Sequence, residues 1–61
     1  MVHKIKELCK KKNLTIADLE RQAGISPKSV FSWDESEPSV YRVYRVAKIL
    51  GTTVEELLRA D

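Results

Sequence analysis

Helix start and stop signals recur at short intervals along the chain, and they constrain its fold more than any other feature. Residues that adopt the left-handed conformation typical of helix ends follow three amphipathic segments: Asn13, Gly24 and Gly51. Candidate N-cap residues open four segments: Thr15, Ser26, Ser39 and Thr53. Because the apolar residues between these signals recur every three to four positions, we predict five short helices and no strand.

The size of the chain restricts it to one small domain. Its 61 residues leave no room for an enclosed substrate cavity. The single cysteine, Cys9, cannot form an intrachain disulfide, and with the one histidine it is too little for a structural zinc site. No apolar run is long enough to span a membrane. We therefore expect one all-α domain over residues 1–61, cytoplasmic, without a cofactor, an evident small-molecule ligand or a catalytic set.

The apolar pattern assigns a buried face to each predicted helix. The inward residues of the first are Val2, Ile5, Leu8 and Cys9, and those of the second, from Thr15 to Ala23, are Ile16, Leu19 and Ala23. A third helix from Ser26 to about Glu35 begins with Pro27, whose missing amide costs nothing there, and buries Val30 and Trp33. The fourth buries Val40, Val43, Val46, Ala47 and Leu50, and the fifth buries Val54, Leu57 and Leu58.

The second and third predicted helices are joined by a short turn that contains Gly24. This arrangement, over about residues 15–35, is that of a helix-turn-helix, whose second helix enters the major groove of DNA. By itself the pattern is weak, since many helical pairs share it. Here a basic helix precedes it and a capped helix follows it.

Three stretches resemble phage Cro and cI-type repressors, which belong to the xenobiotic-response-element (XRE) family of bacterial regulators. They are Leu14-Thr15-Ile16-Ala17-Asp18-Leu19, Gly24-Ile25-Ser26 and Val46-Ala47-Lys48-Ile49-Leu50-Gly51. The resemblance implies a compact five-helix bundle that acts as a sequence-specific, repressor-like transcriptional regulator. It also implies a double-stranded DNA operator as the partner, bound by a homodimer.

From this resemblance we expect DNA contacts at exposed positions of the second to fourth helices: Thr15, Ile16, Ser26, Pro27, Lys28, Ser29, Phe31, Ser32 and Arg42. Lys28 can donate to guanine or to a phosphate, and an apolar Phe31 can meet thymine methyl groups. The amide end of the second helix suits a phosphate. Lys6 and Lys10 are further candidates for flanking phosphate contacts.

The chain departs from the family pattern at several positions. Glu20 stands where the family often has alanine, so we expect its longer side chain to angle outward. Ile16 replaces a glutamine of many phage repressors, and the loop at residues 34–37 carries three carboxylates. The formal net charge is only +2, divided into +4 over residues 1–33 and −2 over residues 34–61. We therefore expect a monomer to bind DNA weakly, since non-specific affinity for DNA depends on basic groups.

A protein-interaction module on the same fold, antitoxin-like or antirepressor-like, is the alternative. It would use Phe31 and the acidic loop at residues 34–37. Phe31 can also pack locally beside Trp33 or Ile16. An apolar edge left on the fifth helix would supply a dimer contact. An enzyme is a remote third reading.

Overall fold

Four α-helices and one short 3-10 helix make up the computed structural model, which describes residues 1–59. The α-helices are α1 (Val2–Lys11), α2 (Ile16–Ala23), α3 (Val40–Leu50) and α4 (Val54–Arg59), and the 3-10 helix is Val30–Ser32. No strand occurs within the described part of the chain. The all-α prediction is therefore confirmed, whereas the count of five helices is wrong.

The first three α-helices end in the same way. A left-handed residue follows each of them: Asn13 at φ 58°, Gly24 at φ 70° and Gly51 at φ 72°. The next amide in each case bonds back to a carbonyl in the last turn: Leu14 N to Cys9 O, Ile25 N to Glu20 O and Thr52 N to Ala47 O, at 2.9–3.0 Å. These bonds satisfy carbonyls that the helix end would leave unpaired. All three predicted stop signals are confirmed.

Side-chain caps open three of the helices as predicted. Thr15 Oγ1 accepts from the Asp18 amide at 3.0 Å while the Thr15 amide donates to Asp18 Oδ2 at 3.3 Å, which completes a capping box. Ser39 Oγ accepts from the Tyr41 amide at 3.2 Å, and Thr53 Oγ1 accepts from the Glu56 amide at 3.0 Å. Together the caps and stops leave short connections between α1 and α2 and between α3 and α4, whereas residues 24–39 connect α2 to α3.

One cluster of buried side chains holds the helices together. Its fully buried members are Ile5, Leu19, Val30, Val43, Val46 and Leu57, and Cys9 and Trp33 join them as predicted. Two predicted core residues do not: Val40 is 60% exposed and Leu58 is 62% exposed. Both lie at the edge of the inward face of their helix, where no other element of residues 1–59 covers them.

The segment from Ser26 to Glu35 is not an α-helix, and this is the main correction to the predicted fold. Lys28 has a φ of 67°, a left-handed conformation that interrupts any helix starting at Ser26. The chain therefore forms a turn, with the Ser29 amide bonded to Ser26 O at 3.2 Å, before a 3-10 helix of three residues. Ser26 is consequently not an N-cap of an α-helix, and Pro27 is not its first residue.

Candidate nucleic-acid interface

A buried carboxylate explains the shape of this segment. Glu20 is 3% exposed, and no other charged side chain within residues 1–59 is buried. Its Oε1 accepts from the Lys28 amide at 2.8 Å, and its Oε2 accepts from the Val30 amide at 3.1 Å. The two bonds hold the turn against α2, because each amide would otherwise lose a hydrogen-bond partner on leaving water. The expectation that Glu20 angles outward is wrong.

We call residues 26–32 the reading segment, since they occupy the place of the predicted recognition helix. Val30 anchors it in the core at 0% exposed, whereas Ser26, Pro27, Lys28 and Ser32 are exposed and Ser29 is half-buried. One buried residue and the two hydrogen bonds to Glu20 thus hold a short run of side chains exposed to solvent. Lys28 makes no ion pair with another described residue, so its ammonium group is available to a ligand.

The hydroxyl groups of the reading segment are already used as donors. Ser29 Oγ donates to Ser26 O, and Ser32 Oγ donates to Ser29 O at 2.8 Å. Each hydroxyl keeps its lone pairs, which accept hydrogen bonds. In this conformation both serine hydroxyls can accept hydrogen bonds from amino groups of bases. Ser29 can donate to a phosphate only after its hydroxyl releases the Ser26 carbonyl.

Phe31 connects the reading segment to the first helix. Its side chain is 49% exposed, and the ammonium group of Lys6 lies 5.4 Å from the ring centroid. A cation over an aromatic face is attracted by the ring quadrupole. The contact places a basic residue of α1 beside the predicted base-contacting side chain, and it brings Lys6 into the candidate interface.

At the amide end of α2, Thr15 is exposed and Ile16 is half-buried, and Ala17 lines the same shallow depression as Pro27 of the reading segment. Within the described chain the amides of Ile16 and Ala17 have no acceptor, which leaves them free for an anion. The Asp18 carboxylate at the same end is paired with Arg21, so the two charges offset each other. Hydrogen bonds with the Thr15 side chain and backbone lower the pKa of Asp18, which keeps it ionised.

The remaining predicted contact, Arg42, is exposed in the first turn of α3 and forms no ion pair with any residue from 1 to 59.

The negative charge of the acidic loop that precedes α3 is only partly compensated. Asp34 Oδ1 accepts from the amino terminus of Met1 at 3.1 Å and from the Val2 amide at 3.3 Å, and the hydrogen bond from the amino terminus lowers its pKa most. Glu35 and Glu37 are exposed and make no ion pair within the described chain.

Two residues of this surface, Glu20 and Lys6, make contacts that are not among the expectations from the sequence. A signal for Glu20 was present, because Ile16, Leu19, Glu20 and Ala23 follow the spacing of one helical face. That face is the buried one. No comparable signal pointed to the contact between Lys6 and Phe31, which depends on how α1 packs.

The capped helix α2, the turn at Gly24 and the reading segment occupy the places of a helix-turn-helix, with a turn and a 3-10 helix where the second helix is expected. Among protein families, the one described as helix-turn-helix matches residues 5–57. The chain therefore belongs to this family, in the XRE type that Cro-like and cI-like regulators represent, and the family is one of DNA-binding regulatory domains. Searches of curated proteins and of solved structures each gave no match. None of the helices within residues 1–59 is long and apolar enough to cross a membrane.

Proposed function

We propose that this chain is a sequence-specific, repressor-like transcriptional regulator whose reading segment enters the major groove of an operator. The observation that carries the proposal is the anchoring of this segment by Val30 and Glu20, which exposes Lys28, Phe31 and Ser32. In this proposal Lys28 donates to guanine or a phosphate, Phe31 meets a thymine methyl group, and Ser32 accepts from a base amino group. The regulator works in the cytoplasm. By occupying the operator it blocks or recruits polymerase, and it catalyses no reaction itself.

Backbone contacts complete the proposed interface. Arg42, Lys6 and the amide end of α2 at Thr15 and Ile16 are assigned to phosphates, as are Ser26 and Ser29 once Ser29 releases its carbonyl partner. Such contacts set the register of a protein on DNA without reading its sequence. Pro27, exposed beside Lys28, adds apolar surface at the groove.

A homodimer on DNA belongs to the same proposal. The described chain measures 24 × 21 × 17 Å, which is shorter than the ~34 Å between half-sites one helical turn apart. One copy therefore covers one half-site of a few base pairs, and two copies fit side by side on adjacent half-sites. Selectivity useful in a genome requires both half-sites.

Binding-site selection from random duplex DNA, followed by fluorescence anisotropy over a salt series, tests the proposal. We expect one enriched motif with two half-sites, and a binding constant that falls as salt rises. Lys28→Ala and Arg42→Ala should each weaken binding, whereas Arg59→Ala removes the same charge from α4 and should not. A chain that binds no duplex even at low ionic strength would contradict the proposal. Sedimentation with and without the selected DNA gives the number of copies bound.

A further inference from the structure

An apolar groove of about 330 Å³ opens on the surface between the acidic loop, α3 and α4. Apolar side chains form its floor and walls: Trp33, Pro38, Val40, Val43, Val54 and Leu58. Three carboxylate residues, Asp34, Glu35 and Glu37, form its rim. We call this feature the acidic groove.

The acidic groove lies where the inward faces of α3 and α4 continue beyond the buried core. Val40 precedes the buried Val43 by three positions, and Leu58 follows Val54 by four, so both continue the inward faces of their helices. They are nevertheless 60% and 62% exposed. Adjacent exposed aliphatic side chains rimmed by polar residues mark an interaction surface more often than a plain solvent-facing one.

The charge of the rim indicates the chemistry of the occupant. No lysine or arginine lines the acidic groove, and Glu35 and Glu37 make no ion pair within residues 1–59. Asp34 is held by the amino terminus, so two uncompensated carboxylates remain beside an apolar floor. An occupant that is apolar in its centre and basic at its flanks complements this pattern.

We propose that the acidic groove binds a short segment of another protein, with large aliphatic side chains flanked by lysine or arginine. DNA does not suit it, because phosphates would meet the carboxylates. A second copy of this chain suits it less well, since a two-fold contact would bring the same carboxylate rims together. No residue assigned to DNA contact lines the groove, so this interaction stands or falls separately from operator binding.

Synthetic peptides provide the test. The probe carries two leucines one helical turn apart, flanked by lysines and arginines. One matched peptide replaces each basic residue by glutamate, and another replaces the leucines by serine. Amide chemical shifts of the isotope-labelled chain report the site, and the fluorescence of the single tryptophan, Trp33 on the groove floor, reports the affinity.

We expect the basic peptide to shift the amides of Val40, Val54 and Leu58 and to bind about tenfold more tightly than the glutamate peptide. Glu35→Lys with Glu37→Lys should remove most of that difference, and Leu58→Ser should abolish binding. Glu56→Lys is the matched control, because Glu56 is exposed on α4 and does not line the groove.

Three outcomes of the peptide experiment would overturn the proposal. They are equal affinities for the basic and glutamate peptides, shifts confined to residues outside the groove, and no binding of any peptide. Concentration-dependent sedimentation that Leu58→Ser abolishes would also overturn it, since a second copy would then be the occupant. Circular dichroism of each variant separates loss of binding from loss of fold.

Discussion

Replacing Glu20 by glutamine tests the physical reason for the shape of the reading segment. Glutamine keeps the volume of the side chain but carries one acceptor oxygen and one NH₂ group in place of two acceptors. One of the two amides that Glu20 bonds, Lys28 N at 2.8 Å or Val30 N at 3.1 Å, would then face a second donor. We expect Glu20→Gln to destabilise the native state even though packing is unchanged.

The expected loss follows from the two bonds and from the burial of the carboxylate. A hydrogen bond to a charged group contributes about 1.5–3 kcal/mol. Removing the charge also removes the cost of burying it, which offsets part of that gain. We therefore expect Glu20→Gln to lower the free energy of unfolding by about 2 kcal/mol, and Glu20→Ala, which adds a cavity, by about 3 kcal/mol. A domain of this size has roughly 3–9 kcal/mol in total, so the change is large.

Urea denaturation followed by the fluorescence of Trp33, the only tryptophan and 6% exposed, measures both variants. Glu37→Gln serves as the control, because that carboxylate is exposed and has no ion-pair partner in the described chain. Amide hydrogen exchange should show the Val30 amide losing protection in Glu20→Gln before the amides of the α-helices do. If Glu20→Gln unfolds at the wild-type urea concentration, the two hydrogen bonds do not hold the segment and the reasoning fails.

Four further predictions test other parts of the structure. Lys28→Gly should raise the free energy of unfolding by about 0.5–1 kcal/mol, because glycine adopts the φ of 67° without strain. The same substitution should weaken DNA binding, and a lower free energy of unfolding would contradict the reasoning. Hydrogen bonds lower the pKa values of Asp18 and Asp34 in the folded state. Their contribution to the stability of the fold is therefore present above the unfolded pKa of about 4, and it is lost as the pH falls through the lower folded values. Thermal melts of Asp18→Asn and Asp34→Asn should accordingly show a flatter acid limb than wild type. Burial raises the pKa of the Cys9 thiol, which is 2% exposed, so a disulfide reagent should modify it slowly in buffer and rapidly in urea. Phe31→Ala should relax the preference at one thymine in the selected site, whereas uniform weakening across all sequences would argue against base contact.

Local signals in the sequence predict most of this fold because the relevant interactions are local. Caps at Thr15, Ser39 and Thr53 bond amides two or three residues away. The left-handed stops at Gly24 and Gly51 depend on residue type alone. Hydrophobic spacing then places Leu19, Val46 and Leu57 in the core, since a helix has only one face to bury.

The reading segment escaped prediction because its conformation depends on two contacts, eight and ten residues apart in sequence. Ser26 and Pro27 favour a helix start, yet the Glu20 carboxylate bonds the Lys28 and Val30 amides and stabilises a turn in that place. Tertiary contacts of this kind override local preference. The exposure of Val40 and Leu58 escaped prediction for a related reason: periodicity shows which face is apolar, but not whether another element covers its edge.

The charges around the reading segment nearly cancel, and this determines how the proposed regulator must achieve selectivity. The buried Glu20 carboxylate accepts from the Lys28 backbone amide, and the Lys6 ammonium lies over the Phe31 ring. Lys6 gives up part of its contact with the ring when it meets a phosphate, so its net gain on DNA binding is smaller than that of a free lysine. The salt dependence of binding should therefore be shallow for one copy. Affinity then has to come from contacts with base edges and from a second half-site, both of which reward the correct sequence more than a general attraction to phosphate does.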